Sequence, residues 1–122
     1  MSSKITPSLE DYIETIYSLG GANDPVRLTD ISSALGLSKA SASRAVQTLR
    51  GEGLVEHERY GMFMLSVLGL AKAKEVVHRH AIFKRFLMET LQLPEEIAER
   101  DACRIEHVIS PQTVAALERF LD

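Results

Sequence analysis

The sequence predicts a mainly α-helical chain in which a helix-turn-helix with a β-hairpin wing is followed by a second, helical unit. Apolar residues recur at helical spacing over most of the chain. Two short helical segments flank Gly36-Leu37-Ser38, and the run LVEHERYGMFMLS directly after them reads as two strands around Arg59-Tyr60-Gly61. With 122 residues and 45% hydrophobic content, the chain is one ordinary domain or two small units sharing a core, and it folds without staples.

Each element follows from local pattern. Thr6-Pro7-Ser8 opens a first helix with Leu9, Tyr12, Ile13, Ile16 and Tyr17 on one face, and Gly20-Gly21 ends it. After the turn-rich GGANDP, Thr29 is placed to cap the next helix, whose core face is Ile31, Ala34 and Leu35. Gly36 suits the tight turn, Ser38 caps the following helix, and Ala42, Ala45, Val46 and Leu49 form its buried side. A long helix is expected from Ser66 to about Leu91. It is apolar on most sides after Val76, so it needs a partner surface, either the next helices or a second subunit. Leu93-Pro94-Glu95 breaks it. Two helices follow, about Pro94 to Val108 and, capped by Ser110 with Pro111 in its first turn, on to the chain end.

Bulk properties narrow the function classes. Charges interrupt every apolar stretch and no signal peptide opens the chain, so no membrane association and a cytoplasmic location are expected. A formal net charge of −3 at pH 7 argues against tight, permanent nucleic-acid binding; binding to DNA should be local and conditional. A single cysteine excludes an internal disulfide and leaves Cys103 as a buried apolar residue, a reactive thiol or a metal ligand.

The segment Ser38–Arg50 contains three basic residues and no acidic one. Its exposed side would carry Ser38, Lys39, Ala40, Ser41, Ser43, Arg44 and Gln47. A DNA-reading helix needs this mixture, because Arg and Gln pair with base edges in the major groove, small residues permit close approach, and Lys and Ser hold phosphates. Arg59 at the hairpin tip is placed to reach a neighbouring phosphate. The competing reading is an exposed amphipathic helix of a protein-interaction module.

Two acidic clusters stand out. Asp11 and Glu14 lie one turn apart on the first helix, away from its apolar stripe; Asp11 completing a capping box with Ser8, and Glu14 as a solvated charge, is the plainer alternative. In DACRIEHVIS, a turn of about 100° per residue puts Cys103, Glu106 and His107 on one face and Ile105, Val108 and Ile109 on the other. Thiolate, carboxylate and imidazole are ligand types for a divalent transition metal, although a buried thiol beside an exposed Glu-His pair is the plainer alternative. His80 lies in the apolar part of the long helix, where a lone histidine is more often a satisfied core group.

Taken together, SLEDYIETIY, the helix-turn-helix and wing, VVHRHAIFKRFL and DACRIEHVIS resemble, in order and spacing, the diphtheria-toxin-repressor family of metal-dependent transcriptional repressors, including its manganese transport regulator branch. The resemblance implies a winged helix-turn-helix DNA-binding domain over residues 1–70 and a helical metal-binding and dimerisation domain over residues 71–122. It implies the ligand set Asp11, Glu14, His80, Cys103, Glu106 and His107, converging between those domains. The expected function is that of a repressor binding palindromic operator DNA as a homodimer when loaded with Mn2+ or Fe2+, with Co2+, Ni2+ or Zn2+ able to substitute in vitro. No small organic ligand is implied. Asp11 and Glu14 resemble the manganese branch, whereas Ala102-Cys103-Arg104 resembles the iron-responsive branch, and Lys84 stands where that branch has a glutamate of an ancillary site. With the sequence ending at Asp122, the resemblance implies no SH3-like third domain, as in the manganese branch, although a truncation would look the same. The rival readings are a metal-independent winged-helix regulator and a metalloenzyme, the latter lacking any acid/base group or substrate pocket beyond the ligands.

Overall fold

The computed structural model describes residues 7–122. The opening of the first helix at Thr6 lies outside the described residues. The chain divides into two compact units between Lys74 and Glu75.

In the first unit, α1 (Pro7–Ser18) buries Tyr12, Ile13 and Ile16, with Leu9 and Tyr17 partly buried beside them. A short strand β1 (Val26–Arg27), which the sequence pattern does not announce, leads directly into α2 (Leu28–Leu35). It corrects the expected cap. Arg27 is held extended by its pairing with Met62, so the helix starts at Leu28, and Thr29 lies inside it instead of capping it. The buried stripe moves accordingly to Leu28, Ile31, Ser32 and Leu35. Ala34 is exposed, and Ser32 takes its place in the interior because its hydroxyl donates to the Thr29 carbonyl at 3.1 Å.

Gly36 closes α2 in the left-handed region (φ 66°), a conformation that costs glycine nothing. Ser38 then caps α3 (Lys39–Gly51), accepting from the Ser41 amide at 3.1 Å. Ala42, Val46 and Leu49 of α3 are buried against α1 and α2. The wing follows as β2 (Val55–His57) and β3 (Met62–Leu65), and the sheet order is β1-β3-β2, antiparallel throughout. Val55, Phe63 and Leu65 point into the same core. At the wing tip Tyr60 and Gly61 are both left-handed (φ 61° and 68°), which turns Arg59 and Tyr60 into solvent.

Ser66 receives the Gly69 amide at the start of α4 (Val67–Glu89), and its own hydroxyl donates to the Gly53 carbonyl at 2.6 Å. A side chain at Gly69 would collide with the Leu54 carbonyl, so the helix start and the wing approach as closely as only glycine permits.

The second unit comprises the remainder of α4, then α5 (Glu95–Ile105) and α6 (Pro111–Leu121). Its core is Phe83, Ala102 and Val114, with Ile105, Ile109 and Leu117 packed against them. Phe83 of α4 is thus covered by the two helices that follow it, whereas Val77 and Ala81 stay exposed. Ser110 caps α6, accepting from the Thr113 amide at 3.2 Å, with Pro111 in the first turn. No helix among the described residues is long and apolar enough to cross a membrane.

The end of α5 departs from expectation. The helix closes at Ile105, and the Val108 amide bonds the Ile105 carbonyl in a tighter turn, so Val108 leaves the helical phase. Val108 is 75% exposed, not part of an apolar face. Glu106 instead lies in line with Ala98 and Ala102, and all three are completely buried.

Candidate metal centre and nucleic-acid interface

In the first unit, the cap at Ser38 fixes the start of α3, and the three buried residues Ala42, Val46 and Leu49 fix its rotation. The opposite side is then presented to solvent. Lys39, Ala40, Arg44 and Gln47 are exposed there with Ser38, and Ser41 and Ser43 are partly so. Arg59 is exposed at the wing tip. These residues form two basic elements of one unit, displayed by a rigid apolar core, which is the physical requirement for reading a groove and clamping an adjacent phosphate. Asp11 and Glu14 stand one turn apart on α1, outside its buried stripe. Their neighbour Glu10 is buried and paired with Lys72 at 3.1 Å, a structural ion pair that the sequence did not single out.

In the second unit, α4 and the end of α5 bring four of the predicted ligand residues into one cluster. His80 presents Nδ1 to Glu106 Oε2 at 3.2 Å, and His107 Nε2 lies 3.5 Å from Glu106 Oε1. The Glu106 side chain has no exposure and His107 only 7%. Cys103 is exposed. Its thiol reaches Glu99 Oε2 at 3.5 Å. His78 turns away, pairing with Glu118 at 3.0 Å.

Two further residues join the cluster. Glu99 accepts from His80 Nε2 at 2.9 Å and from Lys84 Nζ at 3.0 Å, and Lys84 also bonds Glu95 at 3.2 Å. Hydrogen bonds from His80 and then Lys84 hold the Glu99 carboxyl well below its ordinary range, at about 2. The Glu99 and Glu95 carboxylates raise the Lys84 pKa. Glu99 was absent from the sequence reading. The signal was present in its spacing, because Glu99 precedes Cys103 by four residues and so shares its helix face.

The chemistry of this donor set fits a divalent transition metal. His80 and Cys103 carry atoms of ligand type within 4.8 Å of one another and of a Glu99 oxygen, and Glu99 is itself already held by His80 and Lys84. Glu106 carries a second indication. A carboxylate stripped of solvent is costly unless paired, and here it stands at the C-terminal end of α5, where the helix dipole disfavours negative charge. A cation held among the histidines would offset that charge.

Comparison with known proteins finds a family model over each part of the chain. The iron dependent repressor N-terminal DNA binding domain matches residues 4–62, and the iron dependent repressor metal binding and dimerisation domain matches residues 67–122. An HTH-type transcriptional regulator of Methanocaldococcus jannaschii is 30% identical over 119 residues, covering 97% of this chain and 95% of the relative. The HTH-type transcriptional regulator MntR of Bacillus subtilis is 35% identical over 105 residues, covering 86% of this chain and 73% of the relative. Among solved structures, the manganese regulator SloR superposes with a TM-score of 0.80 at 26% identity, over 93% of this chain and 53% of that one. A manganese-dependent transcriptional repressor in complex with manganese gives 0.83 at 26% identity, over 93% and 52%. The chain therefore spans about half the length of these solved proteins. The relatives are transcriptional regulators and not enzymes. The chain belongs to the diphtheria-toxin-repressor family of metal-dependent transcriptional repressors.

Proposed function

We propose that this protein is a repressor that binds palindromic operator DNA as a homodimer when loaded with Mn2+ or Fe2+. The observation that carries the metal dependence is the fully buried Glu106 carboxylate between His80 and His107. His80, Cys103, Glu106 and His107 are the proposed ligands on the helical unit, and the family resemblance adds Asp11 and Glu14 from α1. The DNA-binding role falls to residues 1–70 and the metal-binding and dimerisation role to residues 71–122.

A divalent ion supplies positive charge to a ligand set that holds four negative charges when the thiol is ionised: Asp11, Glu14, Cys103 and Glu106. Glu106 and the two histidines would hold the ion from the buried side, and Cys103 would provide the softest donor. A thiolate among carboxylates raises affinity along the series from manganese toward iron, cobalt, nickel and zinc, so Cys103 tunes metal choice. Bringing ligands from separate helices to one ion favours the conformations in which they are close, by as much as the metal's affinities for the alternatives differ. In a two-fold dimer, α3 of each subunit then enters the major groove of a half-site, with Arg44 and Gln47 facing base edges and Lys39, Ser38 and Arg59 facing phosphates. Ala40, Ser41 and Ser43 let the helix approach.

Isothermal titration with Mn2+, Fe2+ and Co2+ under anaerobic conditions, followed by binding to operator DNA with metal or with chelator, tests this reading. Metal uptake is expected, with operator binding lost in chelator. Equal operator affinity in both conditions would establish a metal-independent winged-helix regulator instead. Arg44→Ala should weaken operator binding and leave metal affinity unchanged. Cobalt should show thiolate charge-transfer absorption in the wild type and lose it in Cys103→Ser.

A further inference from the structure

We propose that Glu99 is a positioning residue that fixes the His80 ring, holding its Nε2–H so that Nδ1 is turned toward Glu106. The inference rests on the metal-binding reading above and deepens it. Its basis is how the two oxygens of Glu99 are used. Oε1 accepts from Lys84 at 3.0 Å, and Oε2 accepts from His80 Nε2 at 2.9 Å and lies 3.5 Å from the Cys103 sulfur. Both oxygens are thus engaged by donors of the chain itself. Lys84 is held in turn by Glu95 at 3.2 Å, so the carboxylate is braced from the side away from the histidine.

The consequence falls on His80. An imidazole has two nitrogens, and which one is free to bind a cation is set by the hydrogen bond that the other makes. Here the short contact at 2.9 Å goes from Nε2 to Glu99, and the nitrogen left facing the buried carboxylate, 3.2 Å from Glu106, is Nδ1. A carboxylate behind a metal-binding histidine sets its tautomer and orientation and raises its basicity. Lys84 gives Glu99 a further role. An ammonium on Oε1 makes it a poorer metal ligand and keeps it as a hydrogen-bond acceptor.

The test uses 15N-labelled full-length chain, metal-free and loaded with the diamagnetic ion Zn2+, in the wild type and in Glu99→Gln and Glu99→Leu. In the metal-free wild type, a hydrogen-bonded Nε2–H of His80 is expected in long-range 1H–15N spectra. It should survive in Glu99→Gln, whose amide oxygen still accepts, and vanish in Glu99→Leu. With Zn2+, the wild type should show Nδ1 as the metal-bound nitrogen. Zinc affinity should fall on the order of 10- to 100-fold in Glu99→Leu and less in Glu99→Gln. Zinc on Nε2, or a Nε2–H signal unchanged in Glu99→Leu, would overturn the proposal. Failure of the wild type to take up any metal would overturn the functional reading, while the metal-free spectra would still decide whether Glu99 sets the ring.

Discussion

In the helix-turn-helix, the polar side chains at the helix ends face solvent and complete the backbone: Ser38 accepts the Ser41 amide, and Gly36 turns the chain without strain. At the end of α5, a carboxylate is buried in line with Ala98 and Ala102, at a helix terminus whose dipole opposes it. Local preference and global fold agree in the first region and conflict in the second. Natural sequences are consistent across levels except where function demands otherwise, so the conflict at Glu106 fits the proposed metal role, whereas the consistent region fits a scaffold that presents α3.

The contrast can be broken most severely in the scaffold. Ile31→Ala removes a fully buried side chain from an apolar core and should cost about 2–5 kcal/mol, by the same amount with metal or chelator present. Denaturant unfolding in the two conditions checks both statements. In the second region the dependence should reverse. Metal at a hundredfold excess over its Kd should stabilise the wild type by about 2.7 kcal/mol. Glu106→Leu should abolish that gain, so that the variant unfolds at the same temperature with and without metal. Thermal unfolding with and without Mn2+ measures it; a variant that Mn2+ stabilises as much as the wild type would make Glu106 a structural residue.

Smaller effects sharpen the same comparison. Ser38→Ala removes the cap of α3 and should cost about 1 kcal/mol, with weaker DNA binding and unchanged metal affinity. The smallest effect concerns Glu99. Its carboxyl is lowered from 4.5 to about 2, so its contribution to stability is present above pH 4.5 and lost as the pH falls from 4.5 toward 2. Glu99→Gln should flatten the stability-versus-pH curve in that window only. The effect is modest because the carboxylate is 46% exposed and screened by solvent.

What could be read in the sequence follows the same division. The recognition helix, its serine cap, the wing and the caps of α6 were legible because each depends on residues adjacent in the chain. Thr29 was misread as a cap because β1 exists only through its pairing with β3, a contact between distant residues. At 103–109, Ile105 and Ile109 pack on the core as the helical phase expects, Val108 departs from it because the chain turns after Ile105, and the burial of Glu106, in line with Ala98 and Ala102, depends on what packs over that face. Residues of the ligand type at Cys103, Glu106 and His107 were visible as a cluster in sequence. Glu99 and Lys84 acquire their place only when α4 and α5 pack together.

Metal and DNA must be coupled for a repressor of this kind, and coupling between two ligands is reciprocal. The most direct measurement is therefore the Mn2+ affinity of the free protein against that of the protein saturated with a palindromic operator duplex. DNA should raise metal affinity by the same factor by which metal raises DNA affinity. An Mn2+ affinity identical in the free and DNA-bound protein would contradict metal control of the α3 reading head, even if both ligands bind tightly.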